Sequence, residues 1–119
     1  MKEKLASPVG AFVVDVAVIV FFVTIGRRNH DEAATVSGYL GTMAPFLIAL
    51  AAVWLASRAW RSPVSARTGV TVWVVTVALG MVVRRFVFDD GTATAFVIVA
   101  TVFNGAVLNG WRAIVRRSS

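Results

Sequence analysis

The chain has 119 residues, of which 58% are hydrophobic and 15% are charged, and its mean hydropathy is +0.79. Soluble domains carry about 25% charged residues, so this composition favours a membrane protein. The absence of cysteine excludes disulfides, thiolate nucleophiles and cysteine-ligated metal centres. The net charge of +6 would suggest a nucleic-acid partner for a soluble chain. In a membrane protein lysine and arginine set the orientation instead, and we expect no nucleic-acid partner.

Four apolar stretches follow one another along the chain, and about 20 apolar residues suffice to cross a bilayer as a helix. They cover residues 9–25, 39–60, 69–88 and 92–112. Only short connections remain between them, so no separate soluble domain of any size fits. The sequence therefore predicts an all-α fold, an integral membrane four-helix bundle that forms one domain over residues 1–119.

The first stretch contains an acid, Asp15, about 10 Å from its start at a helical rise of about 1.5 Å per residue. An aspartate at the centre of a membrane helix costs about 2.5–3.5 kcal/mol, so we expect it to face the bundle interior. At matching depth the third and fourth stretches carry Thr76 and Asn104, which predicts one intramembrane polar layer. An arginine such as Arg58 is a possible partner for Asp15. This layer is either a proton or cation site or a purely structural hydrogen-bonded layer.

Arginine pairs follow or end the odd-numbered stretches, Arg27 with Arg28 and Arg84 with Arg85. We expect them at the outer side, where they contact an anion or a lipid phosphate, or pair with nearby acids. His30 lies in the same outer loop as the first pair. It is the only histidine, so we expect no metal site and no cofactor.

An internal repeat links the two halves of the chain. The pattern G-T-x-x-x-F-x-I occurs at residues 41–48 and again at residues 91–98, and the second and fourth stretches both end in Trp-Arg, at Trp60-Arg61 and Trp111-Arg112. Each half contains two spans, so both halves enter the membrane in the same direction. The pattern predicts two tandem helical hairpins related by an axis along the membrane normal.

Basic residues are distributed unevenly between the two predicted sides. The termini and the middle connection lie on one side and together contain eight lysines and arginines, which are Lys2, Lys4, Arg58, Arg61, Arg67, Arg112, Arg116 and Arg117. On the other side the four arginines are balanced by four acids. The positive-inside rule therefore predicts a multi-pass protein with both termini in the cytoplasm, and the basic inner surface is expected to contact membrane lipid.

A set of residues in order along the chain resembles a prokaryotic family of small four-helix membrane proteins, domain of unknown function 3054. The set is Asp15, Gly26-Arg27-Arg28-x-His30, Pro45-Phe46, Gly80 with Arg84-Arg85, Gly91-Thr92-Ala93, Phe96, Val99-Ala100 and Trp111-Arg112. The resemblance spans nearly the whole chain and implies a prokaryotic cell membrane as the location. It implies no particular activity.

No nucleotide-binding or catalytic motif occurs in the sequence, so we expect that the protein is not an enzyme. Two functions remain open. The first is a transporter or channel for a small ion or solute, which requires an oligomer, most simply a parallel homodimer, because four short helices hardly enclose an aqueous path. The second is a non-catalytic membrane subunit or lipid-binding scaffold.

Overall fold

The computed structural model describes residues 2–29, 36–86 and 94–117, with side chains for all of these except residue 2 and those within 26–40 and 87–96. The described chain is helical and contains no strand, which confirms the all-α prediction. In chain order its elements are α1 (Lys2–Ala6), α2 (Pro8–Asn29), α3 (Val36–Ser57), a short 3-10 helix (Ala59–Arg61), α4 (Ala66–Phe86) and α5 (Thr94–Arg117).

The four predicted stretches correspond to the four long helices, with two clear differences at their ends. The second stretch was predicted to continue to Trp60, but α3 ends at Ser57 because Arg58 adopts a left-handed backbone conformation, with φ 54°. The fourth was predicted to end at Arg112, but α5 continues to Arg117. Three helices, α2, α4 and α5, are long and apolar enough to cross a bilayer, and the described apolar part of α3 is the shorter range Gly41–Ser57.

Serine side chains cap the N-terminal ends of two long helices, α2 and α4. The hydroxyl of Ser7 accepts a hydrogen bond from the backbone N–H of Gly10 at 3.1 Å, and Ser65 accepts one from Thr68 at 3.1 Å. Each satisfies a backbone donor that the first helical turn leaves unpaired, a contribution of about 1 kcal/mol. Pro8 follows Ser7 at the first helical position, where its missing N–H removes no hydrogen bond.

The long helices pack in a ring in which α2 and α4 each contact both α3 and α5. Residues near the start of α2 meet the ends of α3 and α5, whereas Phe22, near the end of α2, meets Phe46 in the first half of α3. Consecutive helices therefore run in opposite directions. The start of α2, the end of α3, the start of α4 and the end of α5 share one end of the molecule, which we call the basic end. Its described exposed cations are Lys4, Arg58, Arg61, Arg67, Arg116 and Arg117.

Glycines allow α4 to approach its neighbours closely. A Cβ atom at Gly80 would lie 2.5 Å from Cδ1 of Phe46, a completely buried ring that is held edge-on by Phe22 at a centroid distance of 5.7 Å. On the α5 side, a Cβ at Gly105 would lie 2.6 Å from Cε2 of Trp73. The small residues thus let large rings fill the space between backbones, as is common in helical membrane bundles.

We expect the Gly80→Ala variant to be destabilised by about 1–3 kcal/mol, because the added methyl group overpacks a ring that has no room to move. The matched control is Gly110→Ala in α5, where nothing lies within 4 Å of an added Cβ. There the better helix propensity of alanine should leave stability unchanged or raise it by up to about 1 kcal/mol. Thermal unfolding of the detergent-solubilised variants measures both, and equal effects would contradict the packing described for Gly80.

Candidate functional site

Asp15 lies in the first half of α2 and is completely buried, with 0% of its surface exposed. Its carboxylate faces the interior of the bundle, as we expected from the cost of exposing an acid to lipid. Side chains from α3 and α5 converge on it. The site is therefore built where α2, α3 and α5 meet near the basic end.

The main partner of Asp15 is Arg112, which is also 0% exposed. Its guanidinium forms a two-pronged ion pair: Nη1 donates to Oδ1 at 2.9 Å and Nη2 donates to Oδ2 at 2.7 Å. Arginine matches a carboxylate in this geometry because its N–H groups are fixed in one plane. The pair joins α2 to α5 across 97 positions of the chain.

Two tryptophans complete the hydrogen bonding of the carboxylate. The indole N–H of Trp54 donates to Oδ2 at 2.9 Å, and that of Trp111 donates to Oδ1 at 3.1 Å. Phe12 packs edge-on against Trp54, and the guanidinium of Arg112 lies over the ring of Trp111 at 4.7 Å from its centroid. Asp15 thus accepts four hydrogen bonds, about as many as the lone pairs of a carboxylate can take.

Arg112 also donates to two backbone carbonyls. Its Nε bonds the carbonyl oxygen of Pro63 at 2.8 Å, and Nη1 bonds that of Leu108 at 3.1 Å. The first of these bonds ties the connection between α3 and α4 to α5. We refer to Asp15, Arg112, Trp54 and Trp111 together as the Asp15 cluster. In this network both the carboxylate and the guanidinium are held by fixed partners.

The cluster corrects two predictions about its members. Arg112 was assigned to the basic inner surface, but it is buried and paired, and Arg58, named as a possible partner of Asp15, is exposed on the connection after α3. The hydrogen bonds from Trp54 and Trp111 to this buried acid were not predicted. Asp15 is the one acid in the four stretches, and Trp111-Arg112 ends the last stretch on the same predicted side of the membrane. That combination was the available signal for the ion pair.

The predicted polar layer of Asp15, Thr76 and Asn104 does not form as a hydrogen-bonded unit. All three residues are fully buried, but neither Thr76 nor Asn104 bonds to Asp15. The amide nitrogen of Asn104 donates to the carbonyl of Ala100 at 2.9 Å. Within the described part of the chain, Oγ1 of Thr76 and Oδ1 of Asn104 have no hydrogen-bond partner.

The predicted outer arginines are described only in part. Arg84 and Arg85 occupy the last turn of α4, where Arg84 is half-buried and Arg85 is exposed. Arg85 lies at the end of an apolar groove of about 520 Å³ between α4 and α5, which is lined among others by Trp73, Val77, Met81, Phe86 and Val97. The side chains of Arg27 and Arg28, and the whole of His30, lie outside the described residues. Among the residues that the structure describes, no group of three or more acids and histidines could hold a metal ion.

The family of this chain follows from its sequence match. The model of the family described as "Protein of unknown function (DUF3054)" matches residues 12–115, which is most of the chain, and the chain belongs to this family. This confirms the resemblance found in the sequence. The matched range contains the complete Asp15 cluster. No curated protein and no solved structure gives a significant match.

We expect the Arg112→Lys variant to lose about 2 kcal/mol or more of unfolding free energy, although the charge is kept, because an ammonium cannot form the two-pronged bond and reach Pro63 as well. The matched control is Arg116→Lys, one turn further along α5. Arg116 donates to the carbonyl of Val64 at 2.6 Å but is exposed, so its replacement should change stability by less than about 0.5 kcal/mol. Chemical or thermal unfolding in detergent measures both, and similar losses would show that the burial of Arg112 has no energetic consequence.

Proposed function

We propose that this protein is a small multi-pass protein of the prokaryotic cell membrane that acts as a non-catalytic, lipid-binding scaffold. Its four long helices would cross the bilayer as one bundle. Large apolar side chains are exposed on every long helix, for example Phe21 on α2, Leu55 on α3, Phe86 on α4 and Ile114 on α5. Apolar surface on all sides is normal where lipid is the solvent, whereas soluble monomers rarely expose large contiguous apolar patches.

The burial and the hydrogen bonds of Asp15 favour a scaffold over a transporter. A titratable acid that relays protons or cations must exchange partners, and proton relays use acids that face a water-filled cavity. Asp15 is fully buried and accepts four fixed hydrogen bonds, two of them from a paired arginine. An acid held in this way is suited to joining helices.

A transporter or channel for a small ion or solute is the second candidate, and one observation favours it. Oγ1 of Thr76 and Oδ1 of Asn104 are buried without a hydrogen-bond partner in the described structure, and buried polar atoms of this kind often bind water or an ion. Such a path would require an oligomer, most simply a parallel homodimer. A strictly monomeric detergent-solubilised protein would count against it.

The lipid-binding part of the proposal is supported by the groove between α4 and α5. An acyl chain matches its apolar walls, and Arg85 at its end provides a positive charge for a phosphate. We assign the helix ends at this side to the outer leaflet. Arg27, Arg28, His30 and Arg84 would belong to the same outer surface.

The tandem duplication also forms part of the proposal. The helices of each half pack against each other, α2 against α3 and α4 against α5. The first copy of the repeated pattern, residues 41–48, lies in α3. The second copy, residues 91–98, falls partly outside the described residues. A structure that superposes the halves only after inversion would contradict the duplication.

The scaffold predicts that the charge pair is structural and can be exchanged for a neutral pair. Asp15→Asn alone should lose about 3–5 kcal/mol of stability, because it leaves Arg112 charged and buried. The double variant Asp15→Asn, Arg112→Gln should recover most of that loss, since neither charge remains and the amide oxygen still accepts from one of the two indoles. Unfolding in detergent measures the recovery.

Flux measurements on the wild type and the double variant in proteoliposomes distinguish the scaffold from the transporter. A scaffold should give no protein-dependent proton or potassium flux above that of empty liposomes, for the wild type and for the double variant alike. A wild-type flux that disappears in the folded double variant would contradict the scaffold and favour transport through Asp15.

The orientation of the chain in the membrane is a separate prediction. At the basic end the cations exceed the described acids, which are Glu3 and the buried, paired Asp15, so we expect both termini in the cytoplasm. Reporter fusions after Ser119 and within residues 29–37 should report opposite sides, cytoplasmic for the first. Cytoplasmic activity from the second fusion, or mixed signals from both, would contradict a single orientation.

A further inference from the structure

A polar pocket of about 370 Å³ opens at the basic end, between the end of α3, the following connection and the start of α4. Its lining combines three cations with hydroxyl groups, namely Arg58, Arg61 and Arg67 with Ser57, Ser62 and Thr71. We call it the arginine pocket. It is distinct from the Asp15 cluster and shares no residue with it.

The three arginines of this pocket differ from Arg112 and Arg116 in having no partner. Their guanidinium groups make no ion pair or hydrogen bond within the described structure, and all three side chains are exposed. Asp15 is already occupied by Arg112. Three like charges around one cavity repel each other, so the pocket favours an anion that accepts several N–H and O–H bonds at once.

The backbone around the arginine pocket is fixed from several directions. The hydroxyl of Thr68, at the base of the pocket, donates to the carbonyl of Ser62 at 2.7 Å and accepts from the hydroxyl of Ser65 at 2.9 Å. The carbonyls of Pro63 and Val64 accept hydrogen bonds from Arg112 and Arg116 of α5. The cations are therefore carried by a preorganised connection and by the first turn of α4, which reduces the entropy lost when a ligand binds.

Arg58 stands at a position that favours glycine. It follows the last residue of α3 with φ 54° and ψ 49°, the left-handed conformation with which helices commonly end, usually at glycine. A side chain there costs about 1 kcal/mol relative to glycine. Replacement of Arg58 by glycine therefore removes one cation of the pocket while relieving backbone strain.

The surroundings of the arginine pocket indicate the source of the anion. Leu55, Trp60 and Val70, near the lining residues in sequence, are large apolar side chains exposed at this end of the bundle. An exposed tryptophan beside arginines is typical of the membrane interface. We infer that the arginine pocket binds the phosphate group of an anionic phospholipid in the cytoplasmic leaflet. This inference rests on the proposed membrane location, and free phosphate is the competing source.

The test compares binding of phosphatidylglycerol and phosphatidylcholine to the full chain in neutral detergent, by native mass spectrometry and thermal shift. We expect a preference for phosphatidylglycerol in the wild type. Arg58→Gly should weaken phosphatidylglycerol binding by about tenfold or more, the equivalent of one charge-assisted hydrogen bond, and should leave the melting temperature unchanged or raised. Arg61→Gln and Arg67→Gln should weaken it similarly.

The matched control is Arg117→Gln, which removes one exposed charge from the same end of the molecule but not from the pocket. Its effect should stay below about twofold, because an exposed charge outside the pocket is screened by solvent. Equal weakening by Arg117→Gln and Arg58→Gly, or no preference over phosphatidylcholine, would overturn the inference.

Inorganic phosphate distinguishes the two sources. Failure of millimolar phosphate to displace phosphatidylglycerol supports a lipid ligand, whereas binding of free phosphate without any lipid preference would overturn the lipid source. These measurements in detergent depend neither on orientation nor on flux. Failure of the topology or proteoliposome experiments is therefore distinguishable from failure of the pocket to bind lipid.

Discussion

The ion pair between Asp15 and Arg112 is the interaction on which the rest of the structure depends. A buried carboxylate and a buried guanidinium each lose their hydration, and their attraction offsets this only where the geometry is good and the remaining polar groups are satisfied. Here two indoles and two backbone carbonyls supply the additional bonds. Removal of one partner would strand the other in the core. The pair therefore fixes how α2 and α5 lie against each other, and Trp54 adds α3 to the same network.

The cluster also determines what the basic end can do. Since Arg112 is neutralised inside the bundle, the positive field at this end comes from exposed cations, three of which surround the arginine pocket. The bond from Arg112 to Pro63 fixes the connection that carries Arg58 and Arg61. A buried structural arginine and an exposed pocket of arginines are thus linked through one short segment. Through this link the ion pair also holds in place part of the backbone that carries the arginine pocket.

The sequence predicted the helices well because apolar length is a local signal, and it predicted an inward Asp15 because exposure of an acid to lipid is costly. It missed the partner of Asp15 for a geometric reason. Distance along a helix gives depth but not direction around the axis, so Thr76 and Asn104 matched Asp15 in depth without reaching it. Arg112 was placed at the surface because α5 was expected to end there, whereas the helix continues to Arg117. Its long side chain also points back toward the helix start, to the carbonyl of Leu108.

The two Trp-Arg pairs lie in different surroundings because α3 ends before the first pair, whereas α5 continues past the second. Trp60 and Arg61 follow the left-handed turn at Arg58, so the helix has already ended and Arg61 projects from a short 3-10 segment into the arginine pocket. Trp111 and Arg112 lie within α5, where continued helical geometry directs both side chains toward Asp15. One pair faces outward and one faces inward although their sequences are identical. If the halves arose by the proposed duplication, the left-handed backbone conformation at Arg58 accounts for the different positions of these two motifs. The same duplicated motif would then supply both a member of the structural ion pair and a cation of the arginine pocket.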